Sequence, residues 1–292
     1  MKESQIKRVL GRIITGGYYD HQEIRKSQKN RIRDIVFRID SDLDLTEVQE
    51  KKEKPNYSKD FNDNNIMGKL EDMKDKKKIG EDEYQYIMDV LEVMKSAEQE
   101  ETNYKKLMRE FVESEKIYKE FLEPIIGISG ILSANLIKIY GHCENAQYVS
   151  SMWKYSGLAP EDGALPKRKK GQQLNYNTRA KTVTWLVADS FIKQRTPVYR
   201  ELYDNEKARQ LKLMEDKAEN APKSLMHAHL RGMVKMRKLF LSHYWGACKD
   251  LYGGEKPDTY VHQKLGHKGR IDWQEVVRRN VAKTKSKRKS DV

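Results

Sequence analysis

Between Tyr84 and Ile125 apolar side chains recur at helical steps. Tyr84, Ile87, Met88, Leu91 and Met94 form one stripe, and Tyr104, Met108, Phe111, Tyr118, Leu122 and Ile125 form another. Steps of three and four residues put side chains on one face of an α-helix, whereas a strand needs a period of two. The first 120 residues contain no such alternation. With 37% hydrophobic and 35% charged residues, the chain is too lean in apolar side chains for one large α/β globule. The expectation is an all-α protein, a helical arm or coiled coil followed by a second helical domain.

Four segments follow. Residues 1–80 hold N-terminal helices and a polar linker. Helices are expected at 4–15 and 21–39, joined at Gly16-Gly17, and short ones around 44–52 and 66–77. Residues 81–124 are expected to form two long amphipathic helices, or an antiparallel or intermolecular coiled coil, through which a homodimer or higher oligomer would assemble. Residues 125–254 form a helical module, and 255–292 a basic tail whose stretch from Arg278 to Lys289, with seven bases and no acid, reads as a disordered arm.

Charge is segregated along the chain. The formal net charge is +13, yet residues 40–123 carry 24 acids and 15 bases, a net of −9, so the remainder carries +22. A polyanion is the natural partner of such a basic part, and the candidates are DNA, duplex or branched, and RNA. Cys143 and Cys248 have no paired spacing, which points to a reducing setting. No apolar run approaches the roughly 18 residues of a membrane span, and Met1-Lys2-Glu3-Ser4 opens no signal-peptide core. A cytoplasmic, nucleoid-associated protein without a membrane partner is expected.

The densest signals lie in 126–181. Ile126-Gly127-Ile128-Ser129-Gly130 reads as a helix-hairpin-helix turn, in which Gly127, Ser129 and Gly130 let backbone amides approach a phosphate; a purely structural turn fits the same residues equally well. Lys167, Arg168, Lys169 and Lys170 follow in a loop, then Asn177, Arg179 and Lys181 at a helix start, with no acid between Asp162 and Asp189. These cations are candidates for phosphate contacts. Tyr176 or Trp185 could stack on bases of a single-stranded or branched substrate. Helices are expected at 145–155, with Tyr148, Met152 and Trp153 inward, at 176–194, with Val183, Leu186, Val187 and Phe191 inward, from Pro197 to about 217, and at 223–252.

The order Ile126–Gly130, then Trp153-Lys154-Tyr155-Ser156-Gly157-Leu158-Ala159-Pro160, then the basic loop with Gly171, then Asn177-Thr178-Arg179-Ala180-Lys181 resembles the C-terminal domain of the insertion-sequence "one-ten" transposases, relatives of the Piv-type DNA invertases. Tyr199, Tyr203, Lys207 and Arg231–Leu241 resemble that domain's closing helices, so the resemblance spans about 120–254. It implies an all-α DNA-binding module behind a dimerising coiled coil. Full-length members begin with an RNase H-like domain bearing four metal-binding acids, use a C-terminal serine as nucleophile, and in some cases follow a guide RNA. This chain departs in two ways. Its N-terminal part has no strand pattern for the RNase H-like domain, and the loop after Pro160 reads Glu161-Asp162-Gly163-Ala164-Leu165, leaving Ser156 as the nearest hydroxyl.

The resulting expectation is a transposase-derived DNA-binding protein without its own metal-dependent catalytic domain, with no cofactor and no metal. An active transposase or recombinase using Ser156, and an RNA-binding or chromatin-like scaffold, are the alternatives. His227, His229, His243, His262 and His267 lack zinc spacing even with Cys248, and the acids Asp40, Asp42, Asp44, Glu47 and Glu50 lack the glycine of a calcium loop.

Overall fold

Gly16 and Gly17 do not end a helix. One continuous helix, α1 (Glu3–Asp40), runs through both. A Cβ on Gly17 would run into the Tyr104 ring, so this glycine is the place where that ring rests against α1. His21, one turn on, stacks on the same ring at 5.5 Å. The glycine pair therefore marks a close approach and not a turn.

The computed structural model describes residues 3–40, 63–160, 163–168, 170–254 and 271–290. The fold is all-α, and no β-strand occurs among the described residues. After α1 come α2 (Asp63–Asp75), α3 (Glu81–Glu113), a π-helical turn at Tyr118–Leu122, α4 (Gly130–Tyr140), α5 (Val149–Tyr155), α6 (Thr178–Lys193), α7 (Tyr199–Glu215), α8 (Leu225–Tyr252) and α9 (Trp273–Ser290). The helix expected around 44–52 lies outside the described residues. No described helix is long and apolar enough to cross a membrane.

The chain divides into two compact units, Ile14–Leu107 and Met1–Ile13 with Met108–Val292. In the first, α2 closes the space between α1 and α3. Ile32 and Val36 of α1, Ile66, Leu70 and Met73 of α2, and Ile87 and Leu91 of α3 form its core with Ile79. Much of the stripe on α3 is thus spent within the chain. A buried polar patch completes this unit. Glu101 accepts from Arg25 Nε at 2.7 Å and from Gln22, with Lys105 Nζ 3.3 Å away.

In the second unit α8 is the central helix. Met233, Met236, Phe240, Leu241, Tyr244, Trp245 and Cys248 are all buried along it. Phe240 meets Phe121 and Phe191, and Phe191 stacks on Tyr199 at 4.4 Å. The α7–α8 hairpin closes tightly at Gly232, where a Cβ would come within 3.0 Å of the Tyr203 ring. Glu206 on α7 accepts from Lys235 of α8 at 2.7 Å and from Arg209 and Gln210. The Nε2 of His243 reaches the Ile271 carbonyl at 3.0 Å, so it carries the proton, and Nδ1 accepts from Tyr199 Oη at 2.9 Å.

Three further expectations are corrected. The stretch from Arg278 to Lys289 belongs to α9 and is not a disordered arm, because Trp273, Val276 and Asn280 fall on one buried face. Trp273 donates to Asp250 at 2.8 Å and meets Phe121 edge-on, and Asn280 accepts from the Ile126 amide at 3.1 Å. Tyr148 precedes α5 and is half exposed, whereas Met152 is buried. Leu186 is exposed beside Trp185 on α6, because the face that packs carries Val183, Thr184, Val187 and Phe191.

The glycine pair gives a paired prediction. Gly17→Ala should destabilise the protein by about 1–3 kcal/mol through the clash with Tyr104. Gly16→Ala, with nothing within 4 Å of the new methyl, should stabilise it by up to about 1 kcal/mol through helix propensity. Urea denaturation of both variants checks the signs.

Acid provides a second test. Burial works against ionisation of Glu101 and Glu206, but the hydrogen bonds from Arg25, Lys105 and Gln22, and from Arg209, Lys235 and Gln210, outweigh it and hold each carboxyl at about 2 against an ordinary 4.5. A carboxyl lower in the folded than in the unfolded chain contributes stability above the unfolded value and loses it as pH falls. Stability should therefore decline between about pH 4.5 and 2, and less steeply in Glu101→Gln and Glu206→Gln, as read by urea titrations at stepped pH.

Candidate nucleic-acid interface

The basic loop is fixed at both ends by residues that the sequence offered as phosphate contacts. Asn177 is the N-cap of α6: its Oδ1 accepts from the Ala180 amide at 2.9 Å. Its Nδ2 donates to Tyr155 Oη at 2.8 Å, and its backbone amide donates to the Tyr155 carbonyl at 2.8 Å. Lys181 Nζ donates to the Pro166 carbonyl at 2.8 Å and lies 4.4 Å from the Tyr176 ring centroid. Tyr176 in turn covers Gly157, whose φ of +63° and close contact, 2.9 Å from a Cβ to the ring, exclude a side chain. Asn177, Lys181 and Tyr176 are half-buried and make these bonds within the chain.

The hairpin turn is occupied as well. Gly127 has φ +93°, its carbonyl accepts from Ser190 Oγ at 2.6 Å, and the Ile126 carbonyl accepts from Thr196 Oγ1 at 2.7 Å. Gly127 thus serves close packing against the end of α6. Ser129 caps α4, its Oγ accepting from the Leu132 amide at 3.3 Å. Gly130 opens α4 with nothing within 4 Å of the site of a Cβ.

Ser156 is fully buried at the end of α5. Its hydroxyl donates to the Met152 carbonyl at 2.7 Å and lies 2.7 Å from Tyr140 Oη. This arrangement presents no oxygen to a substrate.

The exposed cations are Lys167, Arg168 and Lys170 in the loop and Arg179 on α6; Lys169 lies outside the described residues. Lys167 has basic company. Burial lowers the pKa of His227, and Arg231, Lys223 and Lys167 lower it further. Its Nδ1 accepts from the Lys223 amide at 3.1 Å. Behind this face Arg237 is buried, donating to Thr184 Oγ1 at 2.7 Å and to the Lys181 carbonyl at 2.6 Å, and desolvation brings its pKa down to about 10. Arg237 holds α6 against α8. Trp185 remains exposed on α6.

Two cations near this surface escaped the sequence reading. Lys138 is the one charged residue in α4, which should have marked it, and Arg12 lay in the helix expected at 4–15, to which no contact was ascribed. Among the described residues no group of three or more His, Cys, Asp or Glu side chains is placed to hold a metal ion. No family model, curated protein or solved structure matches the chain.

Asn177→Ala removes the helix cap and one bond of the clamp on Tyr155. It should cost about 1–2 kcal/mol, whereas Arg179→Ala at an exposed position should stay within about 0.5 kcal/mol. Thermal or chemical unfolding of the two variants distinguishes an anchor from a contact residue.

Proposed function

We propose that the protein binds nucleic acid, DNA in the first place, through the loop of Lys167, Arg168 and Lys170 together with Arg179. The observation that carries this reading is the arrangement of the loop: exposed cations on a segment whose ends are clamped by Asn177 and Lys181, beside the further bases Lys223 and Arg231. A clamped loop has already given up much of the conformational entropy that phosphate binding would otherwise cost. Contacts of this kind position a duplex without reading its bases. The exposed Trp185 offers a stacking surface where a strand is unpaired.

The ancestry we propose is that of the "one-ten" transposases, on the order of sequence elements from Ile126 to Lys181. In this reading the protein retains the DNA-binding module and works in the nucleoid. Ser156 then serves as a helix-end hydroxyl, since it is buried and bonded to Tyr140 and Met152. Self-association is proposed along α3, where Tyr86, Val93 and Leu107 remain exposed at spacings of one and two heptads.

Replacing Lys167, Arg168, Lys169 and Lys170 together by Ala should flatten the dependence of DNA affinity on salt, by roughly 0.9 in log–log slope for each phosphate that is no longer neutralised. Fluorescence anisotropy on a labelled duplex across a salt series measures it, and an unchanged slope would remove this loop from the interface.

A further inference from the structure

A cavity of about 200 Å³ opens at the surface between the end of α4 and α5. Ile139, Tyr140, Cys143, Ala146 and Met152 line it from the buried side. The backbone turns sharply here. α4 ends at Gly141, with φ +54°, and Cys143 also lies in the left-handed region at +61°. A non-glycine residue keeps such a conformation only where its surroundings fix it.

The walls are fixed by bonds from three helices. Cys143 Sγ donates to Met152 Sδ of α5 at 3.7 Å. Trp245 and Tyr244 of α8 donate to the carbonyls of Ala146 and Gly141, each at 2.9 Å. Arg8 of α1 donates to the Ile139 carbonyl at 2.9 Å and to that of Lys138 at 3.5 Å. The cavity is thus held open in the free protein, and little has to be ordered when a ligand enters.

Its size and lining select the ligand. Drug-sized molecules occupy about 300–1,000 Å³, so a cavity this small admits a single ring system. The rings of Tyr140 and Tyr155 meet edge-on at 6.2 Å, and Met152 adds a polarisable thioether; both surfaces suit a flat π-system. At the mouth, Arg8, Asn145 and Ser151 bring a guanidinium, an amide that donates and accepts, and a hydroxyl. Such groups match the edge of a heterocycle and not a hydrocarbon. Glu144 approaches the Arg8 stem at Gly141 but does not line the cavity, and no lining residue is an acid.

Position relates the cavity to the basic loop. Tyr155 lines the cavity and also anchors that loop, its hydroxyl accepting from Asn177 Nδ2 and its carbonyl from the Asn177 amide, both at 2.8 Å. Arg179 follows two residues later at the start of α6. We propose that the cavity receives one unpaired base of a nucleic-acid strand whose backbone lies on the basic loop, the base stacking on Tyr155 and meeting Asn145 and Arg8 at its edge. This assignment rests on the nucleic-acid reading above, but it uses none of the loop cations.

Fluorescence anisotropy at one salt concentration compares a fully paired duplex, the same duplex with one bulged nucleotide bearing each of the four bases in turn, and the same duplex with an abasic bulge. The native protein should bind at least one bulged base about tenfold more tightly than the abasic bulge, the scale of one base stacked on an aromatic ring. Ser151→Trp fills the cavity from its exposed rim; it should abolish that preference and leave the affinity for the paired duplex unchanged. Asn145→Ala removes only the amide at the mouth and should reduce the preference about threefold. Lys167→Ala/Arg168→Ala/Lys170→Ala should weaken every probe alike and keep the preference.

The assignment is overturned if no base is preferred over the abasic bulge, or if the preference survives Ser151→Trp; where the paired duplex still binds, the nucleic-acid reading stands. Should Ser151→Trp lose the paired duplex as well, Asn145→Ala decides, and an unreduced preference sinks the cavity as the site. If no probe binds, both readings fail. Free nucleosides are titrated alongside by calorimetry. A nucleoside whose binding Ser151→Trp abolishes, with bulged base and abasic bulge bound alike, would assign the cavity to a free nucleoside and overturn the strand assignment.

Discussion

Glu115 is the carboxylate on which the larger unit depends. It is 3% exposed, just beyond the end of α3, and three separate segments converge on it. Lys7 of α1 reaches it at 2.9 Å, His142 at 2.8 Å, and Tyr252 at the end of α8 donates at 3.4 Å. The His142 and Tyr252 rings stack at 3.7 Å, and Tyr252 Oη also accepts from the Ile117 amide. A buried carboxylate without partners would cost several kcal/mol, so the first turns of α1, the segment after α4 and the last turn of α8 must meet there. Burial raises the pKa of Glu115, but the bonds from His142 and Lys7 prevail and keep it below the usual range. One consequence follows along α1. With Lys7 held at Glu115, Gly11 is set one turn further on against Lys138 and Phe111, and the cations of α1 are carried to the face of α4.

Helices with a clear inner stripe were legible in the sequence. α8 carries its apolar residues at steps of three and four and ends at Gly253 in the left-handed conformation, as its pattern required. α9 was legible in part, since Trp273, Val276 and Asn280 have helical spacing. Its density of lysine and arginine hid that signal, because composition argues for disorder wherever the buried residues are few. Gly16-Gly17 misled for the opposite reason. Two glycines weaken a helix locally, but the contact with Tyr104, 87 residues further along the chain, is invisible to any local reading.

The candidate site was legible at its exposed cations and illegible at its anchors. Nothing within five residues of Gly127 announces Ser190 or Thr196, whose hydroxyls occupy the carbonyls of that turn. Asn177 and Lys181 read as polar residues in a basic stretch, yet their hydrogen bonds are internal. A cation in sequence and a cation facing solvent are different objects, and only packing separates Lys181 from Lys167. Lys138 shows the converse. Its isolation in an apolar helix was visible, but its packing against Gly11 of α1 was not.

The clamp at Asn177 has an evolutionary corollary. One amide side chain joins the end of α5 to the start of α6, and Lys181 ties the first turn of α6 to Pro166 in the loop that precedes it. Loop length then enters stability mainly through closure entropy, about 0.6 kcal/mol for each doubling. Exchanges at Lys167, Arg168 and Lys170, which are exposed, would be nearly neutral for folding. Such a segment can drift toward new partners while the helices that present it stay under purifying constraint.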